Sequence, residues 1–504
     1  MRRLAMLCAV LVATAAPLAA ASQDDWFVPL GPPPKAAPKR IGGGESFPPL
    51  PLPATPLRRS ERKRQPSPPT LVGKVVWGES ASFSFKQGGE TQIADWNLCP
   101  ADLQGVLGKA KNALGEPFGS DQVALSSFHY DPVRTPLLYV SGVRAVAFSD
   151  EQLARLRDFV QRGGTVFFDS VAGSPFFTSA ARRTAQRLFP DRALAPLPAD
   201  HPLFHLVQDV DRAGFPRNAP GERPVMDAIQ VGSRAAVVVS PYGLGCGWDD
   251  REVPMLEQAV FYDVDTASRL GVNLIAYVVG YHQVAQQEAK PELFGALDEK
   301  RPANELVFAQ IRHDAHWDVH PGAAAALLTR ARRDSAMAVS LKRVAVRPGH
   351  DDLSSYPLLW LTGTGDLRFS EGERAALRTW LAGHGTLVID NGLGLATFDA
   401  AVRRELAALL PGAQLQPIPP GHALMSAAAP VVEVRYSPQV QRVRKGLSAP
   451  CLEGVAMGGD IKVIYSPYDL AAGWDGLERP GALTWDGAAG TAMGLNLLVY
   501  ALTH

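Results

Sequence analysis

"GGTVFFDS", Gly163 to Ser170, and "GHGTLVIDN", Gly383 to Asn391, are two versions of one phrase. A lone apolar strand recurs by chance, because buried strands draw on the same few residues. The flanking sequence rules chance out here. "DWNLCP" stands opposite "HWDVHP", "TPLLYVSG" opposite "YPLLWLTG", and "FSDEQLARLRDFVQR" opposite "FSEGERAALRTWLAG". "ARRTAQRLFP" faces "VRRELAALLP", and "PLPADHPLF" faces "PIPPGHALM". Trp96 and Trp317, Gly142 and Gly363, Asp169 and Asp390, Pro190 and Pro411, His201 and His422 all lie 221 positions apart. Further on, "VVVSPYGLGCGWDD" faces "VIYSPYDLAAGWDG" at an offset of 226, and "LGVNLIAY" faces "MGLNLLVY" at 223. Register held this long means tandem duplication of a whole domain, at a period far beyond the ~20–50 residues of solenoid units.

Each copy alternates between two periodicities. "PLLYVSG" is a short apolar run ending in Gly, the pattern of a buried strand. "SDEQLARLRDFVQR" follows, with Ser149 as N-cap and Leu153, Leu156, Phe159 and Val160 on one face. Gly163 and Gly164 end that helix, and "TVFFD" is the next strand. The second copy repeats this from Ser370 through Gly383 to "TLVID". Strand, helix and strand with short links give right-handed βαβ units. The expected fold class is α/β: two tandem three-layer α/β/α domains with mainly parallel sheets, at 71–284 and 304–504, joined by a linker at 285–303.

The chain has 504 residues, 46% of them apolar, enough for more than one core. "MRRLAMLCAVLVATAAPLAAASQDD" opens with two arginines and an apolar run, then Ala19 and Ala21 in an A-x-A arrangement. It reads as a signal peptide over 1–21. The run is too short and too Ala-rich for a membrane span, and no other stretch approaches about 18 unbroken apolar residues. Residues 22–70 are rich in proline and read as a disordered basic linker, with eight basic and two acidic residues between Lys35 and Arg64. The net charge is +0, so the folded body is mildly acidic and nucleic acid is not an expected partner. Of the four cysteines, Cys8 lies in the expected signal peptide; Cys99, Cys246 and Cys451 form no C-x-x-C pair, and one disulfide or three separate thiols both fit.

Ligands of such sheets bind beyond the carboxyl ends of the strands. That puts Gly142, Asp169, Ser170, Gly363 and Asp390 at the rim of any pocket. Asp169 and Asp390 are the best polar candidates, with capping of a following turn as the structural alternative. His201 and His422 follow Pro-containing loops and could act as bases beside the aspartates. Trp248 and Trp474, each after a Gly, either pack on the sheet rim or stack on a sugar ring. Asn273 and Asn496 lie within apolar helices and need polar partners, most simply a neighbouring loop's backbone. One Asp and one His per copy fall short of the three ligands a metal site needs, so neither metal nor cofactor is expected.

These motifs together resemble the bacterial domain of unknown function 4159. They are W-x-x-x-P ("WNLCP", "WDVHP"), "PLLYVSG" or "PLLWLTG", an apolar strand ending in Asp, the "PLPADHP" loop, "VVSPYGLGCGW" and G-x-N-x-x-x-Y. In this alignment "ASFSFKQGGETQIADW" stands where the second copy has "ELVFAQIRHDAHW". More distantly, the domain resembles the class I glutamine amidotransferase-like, flavodoxin-like fold, including relatives linked to trehalose utilisation. That likeness implies a Cys in a G-x-C-x-G turn after "TVFFD". The residues are "FFDSVAG" and "VIDNGLG", without a Cys, so glutamine hydrolysis is not expected.

The expectation is an exported, periplasmic or extracellular protein that binds or scaffolds without catalysis, its partner a protein or an envelope glycan. Binding contacts are expected at Gly142, Trp248, Gly363 and Trp474. The alternative is a hydrolase of a carbohydrate or related ligand, using Asp390 and His422, or Asp169, Ser170 and His201. Paired groups within about 3 Å in an open pocket would mark the enzyme; aspartates buried as caps would mark the binding module.

Overall fold

The computed structural model describes residues 22–27, 70–84, 90–127, 131–250, 257–290, 294–300, 302, 304–335, 337–383 and 385–504. The segment expected to be a signal peptide, 1–21, and most of the Pro-rich segment lie outside the described residues.

Lobe 1 contains β1 (Thr70–Val76), β2 (Ser80–Ser84), β3 (Glu90–Ala94), β4 (Phe118–Ala124), β5 (Leu137–Gly142), β6 (Thr165–Ser170), β7 (Ala195–Pro196), β8 (Asp227–Val231) and β9 (Arg234–Ser240). Its sheet runs β4-β1-β5-β6-β9-β8-β7; the first five strands are parallel, β8 runs antiparallel to β9, and β7 antiparallel to β8. Lobe 2 contains β10 (Ala309–Ile311), β11 (Val344–Val346), β12 (Leu358–Gly363), β13 (Thr386–Asn391), β14 (Gln416–Pro417), β15 (Glu453–Met457) and β16 (Asp460–Ser466). Its order, β11-β10-β12-β13-β16-β15-β14, is the same arrangement. Even the irregularity recurs: the β8–β9 register shifts at Ile229/Gln230 and the β15–β16 register at Val455/Ala456. The chain is thus two tandem α/β domains.

The helices form where the pattern placed them, over Asp150–Gln161 and Glu371–Ala382, each opened by a serine capping box. Gly164 and Gly385 end these turns because nothing larger fits: a Cβ would lie 2.2 Å from the ring of Phe159 or Trp380. β5, β6, β12 and β13 are buried along their whole length. Alternate residues feed opposite cores, as a two-fold side-chain period requires. Tyr139, Phe167 and Val238 join the core under Asp102–Leu114 and Val264–Gly280. Leu138, Val140, Phe168 and Val239 join the core under Asp150–Gln161 and Pro175–Leu188. Lobe 2 has the same two layers.

Two findings correct the sequence reading. First, the counterpart of β10 is β1. Gly73 pairs with Leu138 as Ala309 pairs with Leu359, so these strands are offset by 236, against 221 at Trp96 and Trp317. The difference is an insert in lobe 1, filled by the antiparallel β2–β3 hairpin, Ser80–Ala94. The ungapped alignment set this hairpin against β10, since both lead into the same Trp. Second, residues 22–27 are not linker. Gln23–Trp26 forms a 3-10 turn that buries Trp26 and Phe27 against lobe 1. Two large aromatic side chains bury enough area to offset the ordering of so short a segment.

The lobes meet through residues that break the repeat. Arg479, with no exposed side-chain surface, reaches Glu288 at 3.2 Å, Ser233 at 2.9 Å and Asp475 at 2.7 Å. Asp200, opposite Gly421 in the repeat, accepts the Ala396 N–H at 2.6 Å, and Thr364 donates to Gln230 at 2.8 Å.

Candidate functional site

Both switch-point aspartates are fully buried and bound to main chain. Asp169 accepts N–H from Leu244 (2.9 Å) and Gly245 (2.7 Å), and the Tyr139 hydroxyl at 2.9 Å. Asp390 accepts from Leu470 (2.8 Å) and Ala471 (2.9 Å). Each thereby fixes the loop after the next parallel strand. Burial pushes the Asp169 carboxyl up to about 6. Burial, then the neighbouring Asp469 carboxylate, pushes Asp390 well above the ordinary range.

The histidines lie at the other end of the sheet. His201 and His422 cap short helical turns, each Nδ1 accepting a main-chain N–H two residues on at 3.2 Å. Their rings pack on Tyr277 and Tyr500, whose hydroxyls hold the Ala235 and Ile461 amides at the starts of β9 and β16. Asp169 pairs with Ser240 and Asp390 with Ser466, at the far ends of those strands. Five residues of strand, about 16 Å, separate the two positions. Asp169 and His201 therefore do not meet, and neither do Asp390 and His422. The Ser170 hydroxyl is also taken, donating to the Ser174 carbonyl at 2.8 Å.

The four binding candidates are packing residues. Trp248 and Trp474 are buried, donating to the Ala267 carbonyl at 2.6 Å and the Gly490 carbonyl at 3.0 Å. A Cβ on Gly142 would lie 2.3 Å from Trp77, and one on Gly363 2.5 Å from Phe398. None of the four offers a surface to a ligand. Asn273 holds the 204–208 loop through four main-chain contacts of 2.8–3.0 Å, and Asn496 holds Ala428 and Ala429 through three of 2.7–2.9 Å.

Lobe 2 assembles a cluster that sequence reasoning missed. His320, Asp390 and Asp469 bring ligand-type atoms within 4.8 Å of one another, all buried. His320 Nε2 lies 2.9 Å from Asp469, whose carboxylate also accepts N–H from Leu393 (2.8 Å) and Ala472 (2.9 Å). Burial would raise the Asp469 pKa, but His320 and Arg479 outweigh it and hold it low. All four carboxylate oxygens of Asp390 and Asp469 accept main-chain N–H groups, so the cluster acts as a staple for three loops. Lobe 1 has Cys99 in place of His320 and Gly243 in place of Asp469. The signal available was "WDVHP" against "WNLCP" and "SPYD" against "SPYG", departures from the repeat at otherwise matched motifs.

After β6 and β13 the chain makes a left-handed turn at Ala172 (φ 56°) and Leu393 (φ 59°). Non-glycine residues adopt this conformation at a cost and only where the surroundings enforce it. Neither side chain carries a nucleophile.

An open cavity of about 900 Å³ lies elsewhere, between the lobes. The loops after β10, β11 and β12 form one wall, with Arg312, Asp314, His316, Trp317 and Arg347; lobe 1 supplies the other from Asp191 to Pro198 and from β8. It thus sits at the carboxyl ends of three neighbouring parallel strands of lobe 2, where open α/β sheets take ligands. Arg312 and Arg347 are exposed, with no ion pair among the described residues. His316 stands in a left-handed conformation (φ 60°), its Nδ1 2.9 Å from the Thr364 hydroxyl. Burial, then the nearby Arg192, lowers its pKa to about 3. In lobe 1 the same end is shut: the β2–β3 hairpin, Trp26 and Phe27 cover Cys99, Val143, Val171 and Cys246.

No helix among the described residues is long and apolar enough to cross a membrane. No curated protein matches the chain. The family described as "Domain of unknown function (DUF4159)" matches it twice, over residues 90–279 and 307–502, and the chain belongs to that family as a tandem pair.

Proposed function

We propose that this chain is an exported, non-catalytic binding protein of the bacterial cell envelope, and that its ligand occupies the cleft between the lobes. The observation that carries this reading is that both aspartates repeated between the lobes are closed off as main-chain caps while the strand ends of lobe 2 open into a large cleft whose mainly apolar walls carry a few charged groups. Exposed guanidinium donors, Asp314 and Asp366 as acceptors and the half-buried Trp317 ring suit a polyhydroxylated ligand such as an envelope glycan. The leader-like first 21 residues and the Pro-rich segment after them fit delivery to the envelope and a tether there.

The hydrolase alternative needs an Asp and a His sharing a proton at about 3 Å in an open pocket. Asp169 and His201, like Asp390 and His422, stand at opposite ends of a sheet, and His320 and Asp469, which do meet at 2.9 Å, are fully buried. After β6 and β13, where the amidotransferase likeness implies a Cys, the residues are "FFDSVAG" and "VIDNGLG"; the Ser170 hydroxyl already donates to the Ser174 carbonyl, and Asn391 is no nucleophile. Titrating the protein with soluble envelope oligosaccharides, with reducing ends assayed in the same mixtures, tests the proposal. Saturable heat without new reducing ends supports it. New reducing ends that disappear in Asp390→Asn establish the hydrolase instead.

A further inference from the structure

Two thiols meet where lobe 1 is shut. Cys99 and Cys246 are 147 positions apart, yet their sulfurs lie 3.7 Å from each other. Both are buried in one apolar cluster with Trp26, Phe27, Val143 and Phe261. Cys99 follows the β3 strand and Cys246 sits in the Gly245–Trp248 turn after β9. The Cys99 backbone is held in place, its carbonyl accepting from Lys74 Nζ at 2.9 Å, and Lys74 is itself paired with Asp102 at 2.8 Å.

Lobe 2 shows what joins these loops when the thiols are absent. His320 takes the place of Cys99 and Ala472 that of Cys246. There the loops are joined through Asp469, which binds His320 on one side and the Ala472 amide on the other. Lobe 1 has Gly243 at the Asp469 position and no carboxylate to do this. The same two loops come together in both lobes, joined by an acid–imidazole bridge in one and by facing sulfurs in the other.

We propose that Cys99 and Cys246 close into a disulfide, so that lobe 1 joins covalently the loops that lobe 2 joins through His320 and Asp469. Closure brings the sulfurs from 3.7 Å to about 2.05 Å. One cysteine, as thiolate, attacks a disulfide oxidant such as oxidised glutathione, forms a mixed disulfide and releases one glutathione thiol. The second cysteine then displaces the other glutathione. One S–S bond forms in the protein, and the oxidant carries off both electrons and both protons as two thiols. The adjacent Cys246 thiol, together with burial, pushes the Cys99 pKa well up, so exchange proceeds while the Trp26–Phe27 cover is lifted. Cys451, half-buried beside Arg444, lies in the other lobe and stays a thiol.

The test uses the full chain equilibrated with oxidised glutathione, then denatured, alkylated and digested without reductant for peptide mass mapping. The expected product is the Cys99 peptide joined to the Cys246 peptide, with Cys451 alkylated. Reduction should lower the melting temperature by about 5 °C or more, because the bond closes a long loop. Cys99→Ser/Cys246→Ser should lose that response to reduction. Alkylation of both cysteines after denaturation, or either one joined to glutathione or to another cysteine, overturns the proposal. The mapping needs no variant, so a poorly folding mutant does not affect it.

Discussion

The two lobes share a sheet and differ at its carboxyl end. In lobe 1 that end is apolar and closed, roofed by the β2–β3 hairpin and by Trp26 and Phe27 over a cysteine pair. In lobe 2 the hairpin is missing, the same positions hold His320 and Thr364, and the neighbouring strand ends open onto a cleft of about 900 Å³. Duplication supplied one scaffold twice, and the hairpin insert accompanies a covered sheet end in lobe 1 where lobe 2 borders an open cleft. The interlobe contacts follow the same logic, since Asp200 faces Gly421 within a matched motif and Gln230, Glu288 and Arg479 stand outside the matched motifs.

The largest effect that sharpens this contrast is on pH. Burial lowers the pKa values of His313 and His316, in lobe 2, to about 4 and about 3, and that of His201, in lobe 1, to about 3. A folded pKa below the ordinary 6.5 means the unfolded chain binds the proton more tightly, so stability falls as pH drops below 6.5. Each histidine should cost about 2 kcal/mol between pH 6.5 and pH 5. In lobe 1, Asp169 works in the opposite sense: its pKa, raised to about 6, makes protonation below that pH stabilising. In lobe 2, Asp390 is shifted up and Asp469 down, so those two oppose each other. Hydrogen exchange resolved by lobe should show lobe 2 opening first on acidification; simultaneous opening breaks the comparison.

Next in size is the lobe 2 staple. Asp469→Ala leaves the His320 ring and the Leu393 and Ala472 amides without their acceptor, a loss of about 3–5 kcal/mol in denaturant unfolding. An unchanged midpoint would mean that the cluster does not hold the loops. Asn273→Ala should cost about 3 kcal/mol and Asn496→Ala about 2 kcal/mol, since the first removes four main-chain hydrogen bonds and the second three. Equal costs would show that the extra bond in lobe 1 is idle. The smallest effect on stability belongs to the cleft. Arg312→Ala with Arg347→Ala should move the unfolding free energy by less than about 0.5 kcal/mol, both residues being exposed. The same pair should weaken oligosaccharide binding about tenfold in calorimetry, the value of one charged hydrogen bond. A stability loss without a binding loss reverses the assignment.

Much of the architecture was legible because it rests on local pattern. The capping boxes at Ser149 and Ser370, the helix-ending glycines and the alternating strands are each set by a few adjacent residues. The pairing of Asn273 and Asn496 with loop backbone followed from polarity within an apolar helix. The site was less legible. Asp169 and His201 lie in the sequence where an active pair could lie, and no local feature tells that β9 holds them apart. Trp248 and Trp474 resemble rim aromatics in sequence, but their indoles turn inward onto Tyr139 and Trp360.

The sequence by itself determined the duplication, the α/β class and the positions of the matched strands and helices. These depend on hydrophobic period and on constant spacing, which survive without coordinates. Only the tertiary structure decided that Asp169 and Asp390 are caps, that the hairpin closes one lobe, and that the open cleft belongs to both lobes at once. Those outcomes depend on which distant segments come within hydrogen-bonding or packing distance. Such contacts fall off over a few ångströms, whereas positions along a chain say little about separations through space.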